Sequence, residues 1–364
     1  MRTKLFKFLA LLLPLLLVAA ACGGDDDDSA TGDNSPGTTA AGGDSGAYEV
    51  DTGDCPDDVN DPIADTIKIG STMPLSGGVA AVAFAPVAEG LKNYIAYANE
   101  KNLVPGHKLE LKIEDDQYNA TLTTPAVEKL LDETKVNLFA SMIGTPNNLA
   151  VRDTLNEECY PQLFAASGAP AFGDVAKYPW TMGGLAPYNT ETLVYIQDIQ
   201  KEFPKGATVA IHHVNSEFGD YYAKTLKDHA KDANITVVTD QTIEAEDANP
   251  PTAQVTEIAS KKPDVILAVP LGAQCPTFLS ELAKAKAANP GWNPRLYITS
   301  TCAAPLILTI AGAAANGLIT ISGAIDVADP KNAANPKVKE YRDYMVSKGF
   351  KADGDFATAA AGWT

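Results

Sequence analysis

From residue 66 onward, short apolar runs recur between longer stretches whose apolar residues have helical spacing. The runs IKIGS (67–71), KLELKIE (108–114), VNLFAS (136–141), ATVAIHH (207–213), ITVVT (235–239), DVILAV (264–269), RLYITS (295–300) and LITISG (318–323) predict strands. Between them Phe84, Val87, Leu91, Tyr94 and Ala98, and later Leu193, Ile196, Ile199 and Phe203, recur at intervals of three and four and predict amphipathic helices. Strands alternating with helices imply an α/β fold of doubly wound parallel sheets, covered on both faces. The 299 residues from 66 to 364 are too many for one comfortable core, so two lobes joined by a hinge are expected. Pro, Gly and Asn break the alternation in YPWTMGGLAPYNTE (178–191), and a second break lies near Gly317 to Gly323. If the chain crosses between lobes at both, lobe 1 comprises 66–183 with a return at 320–364, and lobe 2 comprises 184–319.

The N-terminus has a different pattern. Arg2, Lys4 and Lys7 precede a 14-residue apolar run (8–21) broken only by Pro14 and ending in small residues before Cys22, the order of parts of a signal peptide over 1–21. The run is shorter than the roughly 20 residues of a spanning helix. The stretch 19–22 resembles the lipobox of bacterial lipoproteins, which implies lipidation of Cys22 and a membrane anchor on the extracytoplasmic face. Plain secretion after a three-alanine cleavage site is the alternative. Residues 23–65 are Gly, Asp, Ser, Thr, Ala and Pro with few large apolar side chains, 13 acids and no base, so with Cys22 they are expected to form a disordered acidic tether. A flexible coil of these 43 residues would span about 35–40 Å.

Charge changes meaning once these parts are separated. The whole chain carries 28 basic and 46 acidic residues, but the body from 66 onward carries 25 and 33. That mild acidity, with no basic cluster larger than Lys261-Lys262, argues against nucleic-acid binding. Beyond Cys22 the cysteines are Cys55, Cys159, Cys275 and Cys302, an even number without zinc-site spacing. Cys275 and Cys302 each follow a strand-like run, so they are expected to pair at neighbouring strand ends, leaving Cys55 with Cys159. Free buried thiols are the alternative. No metal or cofactor site is expected. His212 and His213 are adjacent on a strand and face opposite ways. His107 sits in a turn, and His229 follows Tyr222 and Leu226 along a helix. Without a Gly-x-Ser-x-Gly elbow or a P-loop, an enzyme has little support. Asp115-Asp116 is read as a turn that caps the following helix.

Open α/β sheets bind ligands beyond the carboxyl ends of their strands. The loops there, at 74–81, 115–121, 142–148, 165–170, 215–222, 270–276 and 299–305, are rich in Gly, hydroxyl, amide and aromatic side chains. Such chemistry holds a small polar molecule rather than breaking one.

PLSGGVA (74–80), IEDDQYNA (113–120), AASGAP (165–170), EFGDYYAKTLKD (217–228), DVILAVPLGAQCPTFLSELAKA (264–285) and RLYITSTCAAPLILTIAG (295–312) stand in an order that resembles the type I periplasmic-binding-protein family. Within it, the resemblance is to the branch of branched-chain amino-acid and amide binders serving ABC importers. It implies a monomeric Venus-flytrap that closes on a small-molecule solute and is read by a permease; a ligand-sensing domain feeding a signalling receptor is the alternative. Ser76 lies in the first ligand loop, with Val82 and Phe84 as an apolar wall just beyond. The resemblance implies a ligand grip by Thr145, Ala165 and Ser167 in lobe 1, although the family's serine aligns with Gly144 and Thr145 can equally be a helix cap. In lobe 2 it implies Phe218 as an aromatic lid, with Gln274 and Thr301 at contact positions. At or near Thr301 amino-acid binders of the family place a carboxylate for the ligand's ammonium, and no acid occurs between Arg295 and Ala324. An amide, urea-like, carboxylate or aromatic solute therefore fits at least as well as an amino acid. The family continues beyond a helix like that expected near 355–363 (Phe356, Ala360, Trp363), so the sequence reads as truncated.

Overall fold

The computed structural model describes residues 50–323, 325–351, 359–360 and 362–363; the signal peptide, Cys22 and tether residues 23–49 lie outside them. Every ladder in it is parallel. The first sheet has strands β1 (Thr66–Met73), β2 (Lys108–Asp115), β3 (Leu138–Ala140), β4 (Gln162–Ala165) and β5 (Thr181–Gly183), in the order β2-β1-β3-β4-β5. The second has β6 (Ala207–Val214), β7 (Ile235–Ile243), β8 (Val265–Val269), β9 (Arg295–Ile298) and β10 (Leu318–Ile319), in the order β10-β9-β8-β6-β7. Read from its first strand, each sheet has the same winding, with a switch point where the order reverses, at β1/β3 and at β6/β8.

Burial follows from these positions. VILAV of β8 lies inside its sheet and all five residues are buried, the signature of a strand covered on both faces. KLELKIED of β2 is an edge strand, and its first six residues alternate between exposed and half-buried. Eight runs were predicted as strands and all eight carry one, but LITISG pairs only at Leu318 and Ile319. β4 and β5, of four and three residues, were not predicted; so few residues show no periodicity, and the ladder between them is irregular.

The helices that cover the sheets are α1 (Gly78–Glu100), α2 (Ala120–Lys129), α3 (Thr145–Glu157), α4 (Tyr188–Glu202), α5 (Glu217–Ala230), α6 (Thr252–Lys261), α7 (Gln274–Ala288), α8 (Pro305–Ala311) and α9 (Pro336–Ser347). The chain leaves the first sheet after Gly183 and the second after Ile319. It then returns to α1: Lys348 Nζ lies 2.6 Å from Glu100 Oε1, and Trp363 packs 4.9 Å from the Tyr97 ring.

Residues 50–65 depart from the tether expectation. Cys55 is bonded to Cys159 at a Cα separation of 5.7 Å, Asp57–Asn60 form a 3-10 turn, and Lys108 N–H donates to Asp65 O at 2.8 Å. The covalent link and the backbone bond fix a segment that has too little apolar surface to fix itself. Cys275 and Cys302 form the second disulfide, also at 5.7 Å. Among the described residues no helix is long and apolar enough to cross a membrane.

Candidate functional site

The two switch points face one another. The N-terminal turn of α1 lies against the turn after β8: Ala273 N–H donates to Val79 O at 2.9 Å. Gly272 makes that approach possible, since its φ is +50° and a Cβ there would stand 2.3 Å from Val79 O. Ala80 belongs to the same buried cluster as Tyr188, Phe218 and Tyr222, and Ala83 to that of Cys275 and Cys302, so α1 is part of the second lobe's packing.

On the first-lobe side, the loops after β3 and β4 bring Thr145 Oγ1 and Ser167 Oγ to 2.7 Å, both buried. Thr145 is the first residue of α3, whose cap is Gly144, so its hydroxyl serves Ser167 and not the helix end. Tyr188, the first residue of α4, lays its ring against Gly168. Its N–H donates to Gly168 O at 2.7 Å; burial, the largest influence, raises its phenol's pKa, and the nearby Gly168 backbone and Ser167 and Thr145 hydroxyls pull it back. Tyr118 is stacked on Phe84 at 6.1 Å, and burial raises its phenol strongly.

On the second-lobe side, Tyr188 sits edge-on to Phe218 at 5.2 Å and 4.8 Å from Tyr222. Behind them lies Glu191, buried at 3% exposure. Its Oε1 accepts from Tyr195 OH (2.7 Å) and Ser300 N–H (2.9 Å), and its Oε2 from Ser300 Oγ (2.8 Å) and Tyr222 OH (3.0 Å). Four donors on one carboxylate repay its desolvation. Tyr222 OH also meets Thr299 Oγ1 at 3.0 Å, and burial pushes this phenol well up. At the starts of α4 and α5, the buried atoms Asn189 Oδ1 and Ser216 Oγ have no hydrogen-bond partner among the described residues.

Of the residues singled out from the sequence, Thr145 and Ser167 meet, Ala165 is buried in the strand beneath them, and Phe218 packs on Tyr188. Ser76 is exposed and bonds the Asp115 carboxylate, which also takes Leu75 N–H at 2.9 Å. Val82 is exposed at 38%, while its neighbours Ala80 and Ala83 face the second lobe. The amide of Gln274 is committed on both sides: Nε2 donates to Glu244 O and Asp247 O (2.8 and 2.9 Å), and Oε1 accepts from Leu271 N–H (3.1 Å). Thr301 lies in a 3-10 turn with its hydroxyl 3.3 Å from Thr299 Oγ1.

The Asp pair also differs from expectation. α2 is capped by Asn119; Asp115 ties two loops together, and Asp116 is buried among Thr123, Asn147 and the Tyr118 N–H at 2.9–3.1 Å. Burial is the largest influence on Asp116 and raises its carboxyl.

Tyr188, Glu191 and Tyr222 were missed or undervalued. The signal for Glu191 was an acid on the buried face of a helix, in register with Tyr188 and Tyr195 at spacings of three and four.

A family model described as periplasmic binding protein matches residues 66–363. Among solved structures, a branched-chain amino-acid ABC transporter protein from Thermus thermophilus with bound valine superposes with a TM-score of 0.71 at 20% identity, covering 82% of this chain and 75% of that one. A substrate-binding periplasmic protein from Ralstonia solanacearum gives 0.69 at 19% identity, covering 81% and 82%. A solute-binding protein of an ABC transporter from Rhodopseudomonas palustris BisB5, in complex with 3,4-dihydroxybenzoic acid, gives 0.67 at 19%, covering 82% and 78%. At these identities the likeness is one of fold.

Proposed function

The chain belongs to the type I periplasmic binding-protein family, and from that premise we propose that it is an extracytoplasmic solute-binding protein that captures a small molecule between its lobes and delivers it to an ABC importer. The observation that carries the proposal is the convergence of the Thr145/Ser167 hydroxyl pair of one lobe, through Gly168 and the Tyr188 that starts α4, with Phe218 and Tyr222 of α5 in the other. A solute held by both halves stabilises the closed arrangement over the open one, which is how capture becomes a signal to a permease. The proposed lobes are 66–183 with 320–364, and 184–319, with the crossings after Gly183 and Ile319 as hinges. The two disulfides support an oxidising compartment. The N-terminal pattern supports a lipid anchor at Cys22, and a monomer is proposed.

The ligand class follows from which polar groups are free. Glu191 already accepts four hydrogen bonds, so a ligand ammonium would have to displace one of its donors. Hydroxyls and aromatic faces suit an aromatic acid, an amide or a urea-like solute better than an α-amino acid. Thermal unfolding of the mature protein against 3,4-dihydroxybenzoate, benzamide, urea, L-leucine and L-valine tests this. A saturable rise in Tm with an aromatic acid, amide or urea is expected, about 2.7 kcal/mol at a hundredfold excess over Kd. Micromolar stabilisation by leucine or valine alone would overturn the ligand class; no stabilisation by any solute class would overturn capture.

A further inference from the structure

Glu191 joins parts of the chain that a solute site would need to move together. Through Oε2 it holds Tyr222 of α5, whose buried ring packs 4.8 Å from Tyr188, and Ser300 after β9. Through Oε1 it holds Tyr195 of α4, and that hydroxyl accepts the Ile321 N–H at 3.2 Å. Glu191 itself stands eight residues after Gly183, where the chain leaves the first sheet, and Ile321 two residues after Ile319, where it leaves the second. One carboxylate therefore fastens the first turn of α4 next to one crossing, through Tyr195 the backbone of the other crossing, and the buried Tyr188–Phe218–Tyr222 cluster.

We propose that Glu191 is a positioning residue that clasps the two inter-lobe crossings and sets the pivot about which the lobes close. This rests on the reading of the chain as a closing solute-binding protein, but it concerns a residue that need not touch the solute. Its strength comes from hydrogen bonds and not from net charge. Ser300 N–H needs an acceptor on the Oε1 side, which a glutamine carbonyl supplies to it and to the Tyr195 hydroxyl, whose other acceptor is Ile298 O at 2.9 Å. The Tyr222 and Ser300 hydroxyls on the other side can accept from its amide, with Tyr222 then donating to Thr299. Leucine at the same position supplies neither: it strands the Ser300 N–H and hydroxyl and leaves the Tyr195 and Tyr222 hydroxyls only Ile298 O (2.9 Å) and Thr299 Oγ1 (3.0 Å).

The test needs no solute, so the clasp can fail while capture stands, and a solute screen can fail while the clasp is measured. Spin labels on E110C in β2 and D232C after α5, both exposed positions, report the inter-lobe distance distribution in the mature protein with its disulfides intact. E191L and Tyr195→Phe are expected to broaden that distribution and to speed exchange of the Ile321 amide about tenfold, the loss of one hydrogen bond. E191Q is expected to keep the wild-type width and exchange. Tyr222→Phe, which removes only the α5 bond to Glu191, is expected to leave the Ile321 amide protected. An unchanged distribution in E191L, with reduced stability alone, overturns the clasp, as does broadening in E191Q equal to that in E191L. If E191L does not fold, Tyr195→Phe decides: an unchanged distribution there overturns it equally.

Discussion

Thr145 and Ser167 approach to 2.7 Å across 22 residues of sequence, and Tyr188 stands beside them with its N–H on Gly168 O at 2.7 Å and its ring against Gly168. The three hydroxyls form one buried polar unit that draws on the loops after β3 and β4 and on the first residue of α4. Because Thr145 and Ser167 satisfy one another and Tyr188 packs beside them, their energies should not add. Thr145→Val is expected to cost about 1–2 kcal/mol of stability and Tyr188→Phe about 1 kcal/mol. The double variant should cost less than the sum by about 0.5 kcal/mol or more. Urea unfolding of the four proteins measures this, and strict additivity would show that the hydroxyls act independently.

The close approach of Gly272 to Val79 ties the turn after β8 to the start of α1. Gly272→Ala places a methyl where the Val79 carbonyl stands and adds the cost of a left-handed residue, roughly 1 kcal/mol. The expected result is a wider inter-lobe separation in small-angle scattering and weaker stabilisation by whichever solute raises the wild-type Tm. An unchanged scattering profile would mean that the turn after β8 absorbs the methyl locally.

His212 is fully buried and stacked on Phe278 at 4.6 Å; burial is the main reason its pKa falls from 6.5 to about 3. Between those values the unfolded chain binds a proton that the folded chain does not. Stability that is fully present above about pH 6.5 is therefore lost on acidification, by up to about 1.4 kcal/mol per pH unit from this group. His212→Phe should show a shallower fall in stability from pH 6.5 to 4 than the wild type. Parallel pH profiles would remove His212 from the account.

The two disulfides should differ in both reach and access. Cys55–Cys159 closes 104 residues and Cys275–Cys302 closes 27, so chain entropy assigns them about 5 and about 3–4 kcal/mol as upper values. Cys55 is half-buried, whereas Cys275 and Cys302 are fully buried. Mild reductant at neutral pH is expected to open Cys55–Cys159 first, with mass spectrometry of alkylated peptides as the readout. Simultaneous opening of both would mean that reduction waits for global unfolding.

How far the site could be read beforehand depended on distance along the chain. The loops after β3 and β6 were legible because a hydroxyl and an aromatic stood shortly after strand-like runs, and the loop after β4 by its Gly and Ser; Thr145 meets Ser167, and Phe218 packs on Tyr188. Gln274 was legible as a polar residue in the right loop, yet its amide is spent on Glu244 and Asp247, which a one-dimensional reading cannot see. Glu191 was overlooked because its partner Ser300 is 109 residues away. The loop after β9 was read as lacking a carboxylate; it contains none, and one reaches it from α4.

The sequence by itself determined the alternation of strands and helices, the parallel sheets, the two disulfides and the family. These rest on periodicity, on the placement of cysteines and on ordered loop motifs, all written locally along the chain. Only the tertiary structure decided which of the loop residues remain free to meet a solute and which are consumed in holding the fold. A hydrogen bond depends on where its partner's lone pair or proton lies, and for Tyr188, Glu191 and Gln274 that position is fixed by elements brought together only when the sheets wind and the lobes meet.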